Sequence, residues 1–287
     1  GGAGVDTLYG GDDVDTLNGD AGDDFLYGDA GDDILNGGAD DDIIDGGSGT
    51  DTIDESAETN ALVVTLSNAT GTIVDATASE TDTLLNVENV DTGSGLDTFF
   101  IDDTDDNIIN ANGGDDVATV LGGEGTITIT RTGGNVAVSG TGIGTDQYNS
   151  VIQVNVSGSD TTDDTFIVTD SGDNILDGLG GEDTISYETL TTLITVTIVG
   201  NQVSISATGT GEDTLYNFEN VTTGTDDDYF DISGTVDINL DSTTGADIFE
   251  FNTSVAGSLG LETSDSAHLE FGTYGESIAI DLGSRVS

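Results

Sequence analysis

The sequence predicts an all-β protein, with a parallel β-roll over residues 1–54 that continues into β-solenoid modules interrupted by hairpins. Three observations lead to this prediction. The first 54 residues form six nine-residue repeats in unbroken register. A longer unit then recurs at nearly even spacing, marked by Asp82, Asp146 and Asp213. Each of these acids follows a stretch of alternating apolar and polar residues, as expected for strands that bury one face.

The nine-residue repeats read GGAGVDTLY, GGDDVDTLN, GDAGDDFLY, GDAGDDILN, GGADDDIID and GGSGTDTID. The sixth position is always aspartate: Asp6, Asp15, Asp24, Asp33, Asp42 and Asp51. The eighth position is always Leu or Ile. Gly and Asp adopt the turn conformations that β-branched residues resist, and the apolar eighth residue completes a short strand. Each repeat is therefore predicted to be one turn followed by one strand.

Two such repeats complete one coil, so the turns of alternate repeats stack on each other. The stacked aspartates form two columns, Asp6 with Asp24 and Asp42, and Asp15 with Asp33 and Asp51. Adjacent coils are expected to lie about 4.8 Å apart. Carboxylates and turn carbonyls of two stacked turns then surround a gap that suits calcium, which binds oxygen at about 2.4 Å. The repeats therefore predict a row of calcium sites.

At these residues the sequence resembles the RTX family, the calcium-binding β-rolls built from the nonapeptide G-G-x-G-x-D-x-U-x. The resemblance implies that the six aspartates are side-chain ligands and that the turn backbone supplies carbonyl ligands. The implied turn positions are Gly2, Gly4, Gly11, Gly22, Gly31, Gly38, Gly47 and Gly49, with Asp20 and Asp29 in place of the second Gly and Asp13 and Asp40 in place of the fourth. It also implies type I secretion and a location outside, or on the surface of, a Gram-negative-type bacterium.

Beyond residue 54 the nine-residue register returns only in degraded form. Asp183 and Asp247 occupy the sixth position of GLGGEDTIS and STTGADIFE, and we expect calcium there. Asn107 and Asn174 stand at the sixth position of two further copies, where a neutral amide should bind calcium more weakly. The expected organisation is a β-roll over 1–54, β modules over 55–120, 121–187 and 188–251, and a tail over 252–287 with no assigned role. The downstream pattern also resembles long RTX surface proteins.

The charge of the chain requires a cation. Asp and Glu number 57 against two basic residues, which gives a formal net charge of −55 that opposes any compact state. Several calcium ions are the expected cofactors. Nucleic acid is excluded as a partner, because Arg131 and Arg285 are isolated and Lys is absent. Without Cys there is no disulfide or zinc thiolate site, and the apolar runs are too short to span a bilayer.

Some acidic runs are interpreted differently. Asp160, Asp163, Asp164 and the run 226–228 lack the complete glycine frame, so solvated charge is the expectation for them. His268 is the only histidine and lies in no nucleophile motif, so a surface role is favoured over catalysis.

Two function classes follow from these observations. The first is a non-enzymatic extracellular structural protein, such as a surface layer, matrix fibre or adhesin stalk, that folds and assembles with calcium. The second is the C-terminal calcium-binding module of a secreted enzyme. A carbohydrate-binding adhesin would need a regular Thr or aromatic array, which the sequence does not clearly show. Because the chain starts inside a repeat, its expected partners are other copies or other parts of a longer parent chain.

Overall fold

A computed structural model describes residues 1–68, 70–132, 135–159, 161–169, 172–199, 202–207, 211–252, 256–263, 266–271 and 280–282. These residues form strands, turns and bends, without a helix, so the prediction of an all-β fold is confirmed. Within them, no helix is long and apolar enough to cross a membrane.

The described residues form 31 strands. In chain order they are β1 (Gly2–Ala3), β2 (Thr7–Asp12), β3 (Thr16–Ala21), β4 (Phe25–Ala30), β5 (Ile34–Ala39), β6 (Ile43–Asp45), β7 (Thr52–Asp54), β8 (Leu62–Ser67), β9 (Thr70–Asp75), β10 (Glu80–Leu85), β11 (Asn89–Asp91), β12 (Thr98–Ile101), β13 (Ile108–Asn110), β14 (Asp116–Val120), β15 (Glu124–Thr132), β16 (Asn135–Thr141), β17 (Gly144–Asn149), β18 (Val151–Ser157), β19 (Thr165–Val168), β20 (Asp173–Asp177), β21 (Thr184–Ser186), β22 (Ile194–Val199), β23 (Gln202–Ala207), β24 (Glu212–Tyr216), β25 (Asn220–Thr223), β26 (Tyr229–Ser233), β27 (Thr235–Ser242), β28 (Ala246–Phe251), β29 (Ala256–Thr263), β30 (Ser266–Phe271) and β31 (Ile280–Leu282).

The N-terminal repeats form the predicted parallel roll. Leu8 pairs with Leu26 in one sheet, and Leu17 pairs with Leu35 in the other, so the offset equals two repeats in both cases. Odd-numbered and even-numbered strands of the roll therefore alternate between two sheets. The strands of the first four repeats are longer than predicted, because the first residues of the next turn also pair, as in the contact of Gly11 with Asp29.

The eighth residue of each repeat forms the core of the roll. Leu26, Leu35, Ile44 and Ile53 are fully buried, and Leu17 is nearly so. Residues seven and nine of each repeat point away from this core, as the alternation of side chains along a strand requires. Because each apolar residue lies over its equivalent in the next coil, a single position per repeat provides a continuous core.

The chain divides into two compact units: the first unit contains residues 1–121 and 132–154, and the second unit contains 122–131 and 155–287. In the first unit one sheet has the order β1, β3, β5, β7, β11, β13, β17, β16, and the other has β2, β4, β6, β10, β9, β8, β12, β14. In the second unit the orders are β15, β19, β21, β25, β27, β29, β31 and β20, β24, β23, β22, β26, β28, β30.

The hairpin insertions predicted from the sequence are present as antiparallel segments of three strands. In the first unit β8, β9 and β10 pair antiparallel, while β10 lies parallel to β6 and β8 parallel to β12. The second unit repeats this arrangement with β22, β23 and β24. After β6 the chain forms β8 three strand positions further along the sheet, and it returns through β9 to β10, which pairs with β6. The parallel stack then continues with β12 on the other edge of β8.

Several downstream coils are one residue longer than the N-terminal coils. Thr98 pairs with Val117 in the first unit, and Thr165 pairs with Thr184 in the second, so the offset is two repeats plus one residue. A coil of this length cannot be divided into two nonapeptides, which explains why the nine-residue register degrades after residue 54. The five-segment division of the chain remains a prediction. Of the tail 252–287, the structure describes residue 252 and the segments 256–263, 266–271 and 280–282.

Candidate calcium-binding turns

The turn backbone has the left-handed conformation that the repeat requires. The eight glycines at the second and fourth positions have φ values between 103° and 148°. The four aspartates that replace glycine at these positions, Asp13, Asp20, Asp29 and Asp40, have φ values of 70° to 79°. Aspartate tolerates this region better than most residues with a side chain. The substitutions therefore preserve the turn, as the sequence led us to expect.

A ladder of hydrogen bonds connects the sixth residues of successive coils. The backbone N–H of Asp6 donates to Oδ1 of Asp24 at 2.7 Å, and that of Asp24 donates to Oδ1 of Asp42 at 2.7 Å. On the other side of the roll, Asp15 donates to Asp33 at 2.7 Å and Asp33 donates to Asp51 at 2.8 Å. Each carboxylate thus uses one oxygen to hold the coil before it in sequence.

The second carboxylate oxygen has no hydrogen-bond partner. Oδ2 is buried without a partner in Asp15, Asp24, Asp33, Asp42 and Asp51. The last four of these residues are at most 1% exposed. A buried anionic oxygen without a partner costs several kcal/mol by order of magnitude. A positive charge beside these oxygens would therefore stabilise the turns.

The first glycine of each repeat leaves the space in which this oxygen lies. A Cβ atom built on Gly19 would lie 2.5 Å from Oδ2 of Asp24 and 2.3 Å from the carbonyl oxygen of Gly37 in the next coil. Gly28 is equivalent, with distances of 2.5 Å to Oδ2 of Asp33 and 2.4 Å to the carbonyl oxygen of Gly46. Carboxylate and carbonyl oxygens from two coils therefore converge at a position that only glycine leaves open.

Sequence reasoning assigned carbonyl ligands to the second and fourth positions and missed the first. Its signal was the constant glycine at that position: Gly1, Gly10, Gly19, Gly28, Gly37 and Gly46. The carbonyls of the second and fourth positions also face the next coil. A Cβ built on Gly38 would lie 2.1 Å from the carbonyl oxygen of Asp20, and one on Gly31 would lie 2.0 Å from that of Asp13.

These carboxylate and carbonyl oxygens are suitable ligands for calcium. Calcium prefers several oxygen ligands that combine carboxylates with backbone carbonyls. In the described part of the chain, no group of three or more His, Cys, Asp or Glu side chains is placed to hold a metal ion. A site made from one or two carboxylates and several carbonyls is consistent with that finding.

Burial also shifts the titration of these acids. Removal from water raises the pKa of Asp42 to about 6, and the nearby charge of Asp24 adds to the shift, while a hydrogen bond from the Asp24 backbone opposes it. Burial likewise raises the pKa of Asp51 and of Asp116 above the usual value. The ionised form of each carboxyl is thus disfavoured until a cation joins it.

The ladder continues beyond the regular repeats. In the first unit the N–H of Asp97 donates to Oδ1 of Asp116 at 2.8 Å, and Oδ2 of both acids is buried without a partner. In the second unit the N–H of Asp228 donates to Oδ1 of Asp247 at 3.0 Å, again with both Oδ2 atoms unpartnered. The sequence Thr92–Asp97, TGSGLD, retains glycine at the second and fourth positions and could have revealed the first of these pairs.

The expectation that Asp164 and Asp228 are solvated is wrong. Each is 1% exposed, and the N–H of Asp164 donates to Oδ1 of Asp183 at 2.8 Å. Asp163 and Asp227, one residue earlier, are exposed as expected. The last acid of each run occupies the sixth position of a coil, which the sequence did not show because the glycine frame is incomplete. Asp160 lies outside the described residues.

Two glutamates also join the ladder. The N–H of Asp51 donates to Glu88 Oε2 at 2.8 Å, and the N–H of Asp183 donates to Glu219 Oε2 at 2.8 Å. Asn86 and Asn217, two residues before these glutamates, have φ values of 50° and 55° and replace the turn glycine. The pattern D-T-L-x-N-x-E-N-V occurs at 82–90 and at 213–221. It therefore encodes a shortened turn in which the glutamate takes the place of the aspartate in the stacked column.

The expectation that Asn107 and Asn174 are weak ligands stays a prediction, and Oδ1 of Asn107 is buried without a hydrogen-bond partner. Their side-chain amides donate hydrogen bonds to Asp146 and Asp213, respectively, at 3.1 Å and 2.9 Å. Asp183 and Asp247, in contrast, are fully buried with an unpartnered Oδ2, like the aspartates of the regular repeats.

Comparison with known proteins agrees with this geometry. The family model of the RTX calcium-binding nonapeptide repeat (4 copies) matches residues 1–26, 18–53 and 159–188. No curated protein matches the chain. Residues 1–53 and 159–188 of this chain are therefore RTX calcium-binding nonapeptide repeats, and the ion that they bind is calcium.

Proposed function

We propose that the chain is a structural segment of an extracellular protein, such as a surface layer, matrix fibre or adhesin stalk of a Gram-negative-type bacterium, and that it has no catalytic role. RTX repeats are typical of proteins that bacteria secrete. The observation that supports a structural role is the extent of the ladder. Unpartnered, buried carboxylate oxygens occur in both units and outside the matched repeats, at Asp97, Asp116, Asp228 and Asp247.

The proposed ligands are the six aspartates of the regular repeats together with Asp183, Asp247, Asp97, Asp116 and Asp228. The carbonyls of the turn residues named above complete each site. Calcium at these positions connects each coil with its neighbour, so the metal acts as a repeated staple in a chain that has no cysteine. A module that stabilises only one active site would not need staples in both units.

Assembly is the second part of this proposal. Strands β1 and β2 lie at the ends of the two sheets of the first unit, so among the described strands each has one edge without a neighbour in its sheet. The coil that they form exposes Val5, Tyr9 and Val14, which are 70%, 68% and 67% exposed. A further coil, from another copy or from the parent chain, would cover both the edges and these side chains.

The experiment is a calcium titration of the whole chain followed by sedimentation velocity and electron microscopy. Calcium should produce larger, regular species. Magnesium is the matched control, because it carries the same charge but requires a tighter octahedral site and keeps its water. A calcium-loaded chain, and a calcium-loaded parent protein, that both stay monomeric at high concentration would contradict assembly. The alternative, a calcium-binding module of a secreted enzyme, would then be preferred.

A further inference from the structure

Two turns of the ladder have a tyrosine where five of the six regular repeats have an unpartnered Oδ2. The hydroxyl of Tyr148 donates to Oδ2 of Asp146 at 3.0 Å in the first unit. In the second unit the hydroxyl of Tyr187 donates to Oδ2 of Asp213 at 2.7 Å. The carboxylate oxygen that has no partner in the regular repeats therefore has a proton donor in these two turns.

The other oxygen of each carboxylate is also fully engaged. Oδ1 of Asp146 accepts the backbone N–H and the side-chain amide of Asn107, both at 3.1 Å. Oδ1 of Asp213 accepts the equivalent groups of Asn174 at 3.0 Å and 2.9 Å. In both cases the asparagine stands 39 residues before the aspartate, so two separate parts of the sequence contain the same arrangement.

We infer that these two clusters, Asn107–Asp146–Tyr148 and Asn174–Asp213–Tyr187, are closed turns that hold their coils together without calcium. Three donors around one carboxylate supply the stabilisation that a metal supplies elsewhere, since charge-assisted hydrogen bonds are among the strongest available to a protein. Asn107 and Asn174 stand where the regular repeats have aspartate. Each asparagine therefore removes one of the two negative charges that a cation would bridge. The side-chain amide of Asn107 donates to Oδ1 of Asp103 at 2.8 Å as well as to Asp146, so its hydrogens lie beside both carboxylates and would repel a cation there. The amide oxygen of Asn107, which is buried without a partner, carries no charge to attract one.

All six residues of the two clusters are buried. Asp146 and Tyr148 are fully buried and Asn107 is 1% exposed, while Asp213, Tyr187 and Asn174 are at most 6% exposed. Burial raises the pKa of Tyr148 well above its usual value, so the hydroxyl keeps its proton and remains a donor. Asp116 and Asp183 are buried to the same degree but have an unpartnered Oδ2, so burial alone does not distinguish the two kinds of turn.

The inference divides the ladder into metal-dependent and metal-independent positions, with one turn closed by tyrosine in each unit. It uses the calcium-binding character of the repeats but not the proposed structural role. The assembly experiment can therefore fail without affecting it.

The first test counts bound calcium ions by native mass spectrometry of the whole chain. Asp146→Asn and Asp213→Asn should leave the count unchanged, whereas Asp116→Asn should lower it by at least one. Loss of an ion in Asp146→Asn, at calcium concentrations that saturate the unmodified chain, would overturn the inference for that turn. If one variant does not fold, its counterpart in the other unit provides the same comparison.

The second test converts a closed turn into a calcium site. The double variant Asn107→Asp, Tyr148→Phe restores two facing carboxylates and removes the competing hydroxyl, so it should bind one more calcium ion than the unmodified chain. Tyr148→Phe alone should lower the melting temperature in saturating calcium by roughly 5–10 °C, because it removes a hydrogen bond from a buried carboxylate. An unchanged melting temperature for Tyr148→Phe, or a double variant with an unchanged ion count, would count against the closed turn.

Discussion

The backbone N–H of Asp24 donates to Oδ1 of Asp42 at 2.7 Å, while Oδ2 of Asp42 is buried and has no partner. One carboxylate thus has two roles that depend on different partners. The first oxygen fixes the spacing of two coils through the protein itself, and the second requires a metal.

The whole chain should fold only with calcium. At neutral pH in EGTA, the net charge of −55 and the unpartnered carboxylates should keep it largely disordered, and calcium should restore β structure with a midpoint on the order of 10⁻⁴ to 10⁻³ M. Circular dichroism across a calcium titration measures this transition. A β-rich spectrum that is the same in EGTA and in calcium would refute the prediction.

Asp24→Asn should raise the calcium midpoint by about tenfold or more, since it removes the charge from a buried ligand. Asp23→Asn is the matched control, because the neighbouring side chain is exposed and the same unit of charge is lost. Circular dichroism gives both midpoints. Equal shifts in the two variants would show that overall charge, rather than a defined site, controls folding.

Gly28→Ala should weaken calcium binding although it adds a single methyl group. The new Cβ would lie 2.5 Å from Oδ2 of Asp33 and 2.4 Å from the carbonyl oxygen of Gly46, so the converging oxygens must move apart. Gly113→Ala is the control, since its Cβ would meet no atom closer than 3.8 Å. Isothermal titration calorimetry compares the two. If Gly28→Ala binds calcium as well as Gly113→Ala does, the first position is not part of the site.

Asp164→Asn should lower the melting temperature in saturating calcium, because this buried carboxylate accepts the N–H groups of Gly125 at 2.7 Å and of Ser159 at 2.8 Å. Asp163→Asn should have little effect, because Asp163 is exposed even though it accepts a hydrogen bond from the backbone of Glu182. Thermal melts of the two variants decide between a buried, hydrogen-bonded acid at residue 164 and a solvated acidic run. The solvated run would give the same melting temperature for both.

Acid should partly replace calcium. Burial raises the pKa of Asp42 and Asp183 to about 6, of Asp82 and Asp146 to about 7, and of Glu55 to about 8. Between about pH 4 and these values the folded chain binds more protons than the unfolded chain, so its stability falls as pH rises through them. The contribution is complete below about pH 4, where the acids are protonated in both states.

The measurement is circular dichroism in EGTA between pH 8 and pH 4, where β structure should increase as the pH falls. Calcium affinity should fall over the same range, because protons compete for the same oxygens. A chain in EGTA that stays disordered throughout this range would show that protonation cannot relieve the repulsion within the columns.

Much of the N-terminal roll could be predicted from the sequence because its information is local. A nine-residue period fixes the turn at Gly31 and the buried strand residue Leu35 without knowledge of any distant partner. The same period predicted that Asp13 and Asp40 would adopt left-handed turns. The coil of two repeats followed directly, and the register of Leu17 with Leu35 confirms it.

The remaining features depend on contacts that no local pattern specifies. Asp164 and Asp163 are indistinguishable in the sequence, and only the register of the coil buries one and exposes the other. Tyr187 donates to Asp213 across a separation of 26 residues. The chain has seven scattered tyrosines, and no local pattern marks this one as the donor. The place where β10 rejoins the stack is likewise set by its pairing with the distant strand β6.

The hydrogen-bond ladder gives the roll a direction. Asp6 donates its N–H to Asp24, Asp24 to Asp42, and Asp42 to Asp82, so each coil is completed by the coil that follows it in the chain. Removing coils from the N-terminal side leaves every remaining donor with its acceptor. Removing coils from the C-terminal side leaves one donor without its acceptor at each cut. A roll that folds when calcium is added is therefore asymmetric, because the turn of each coil closes only when the next coil in the chain is in place.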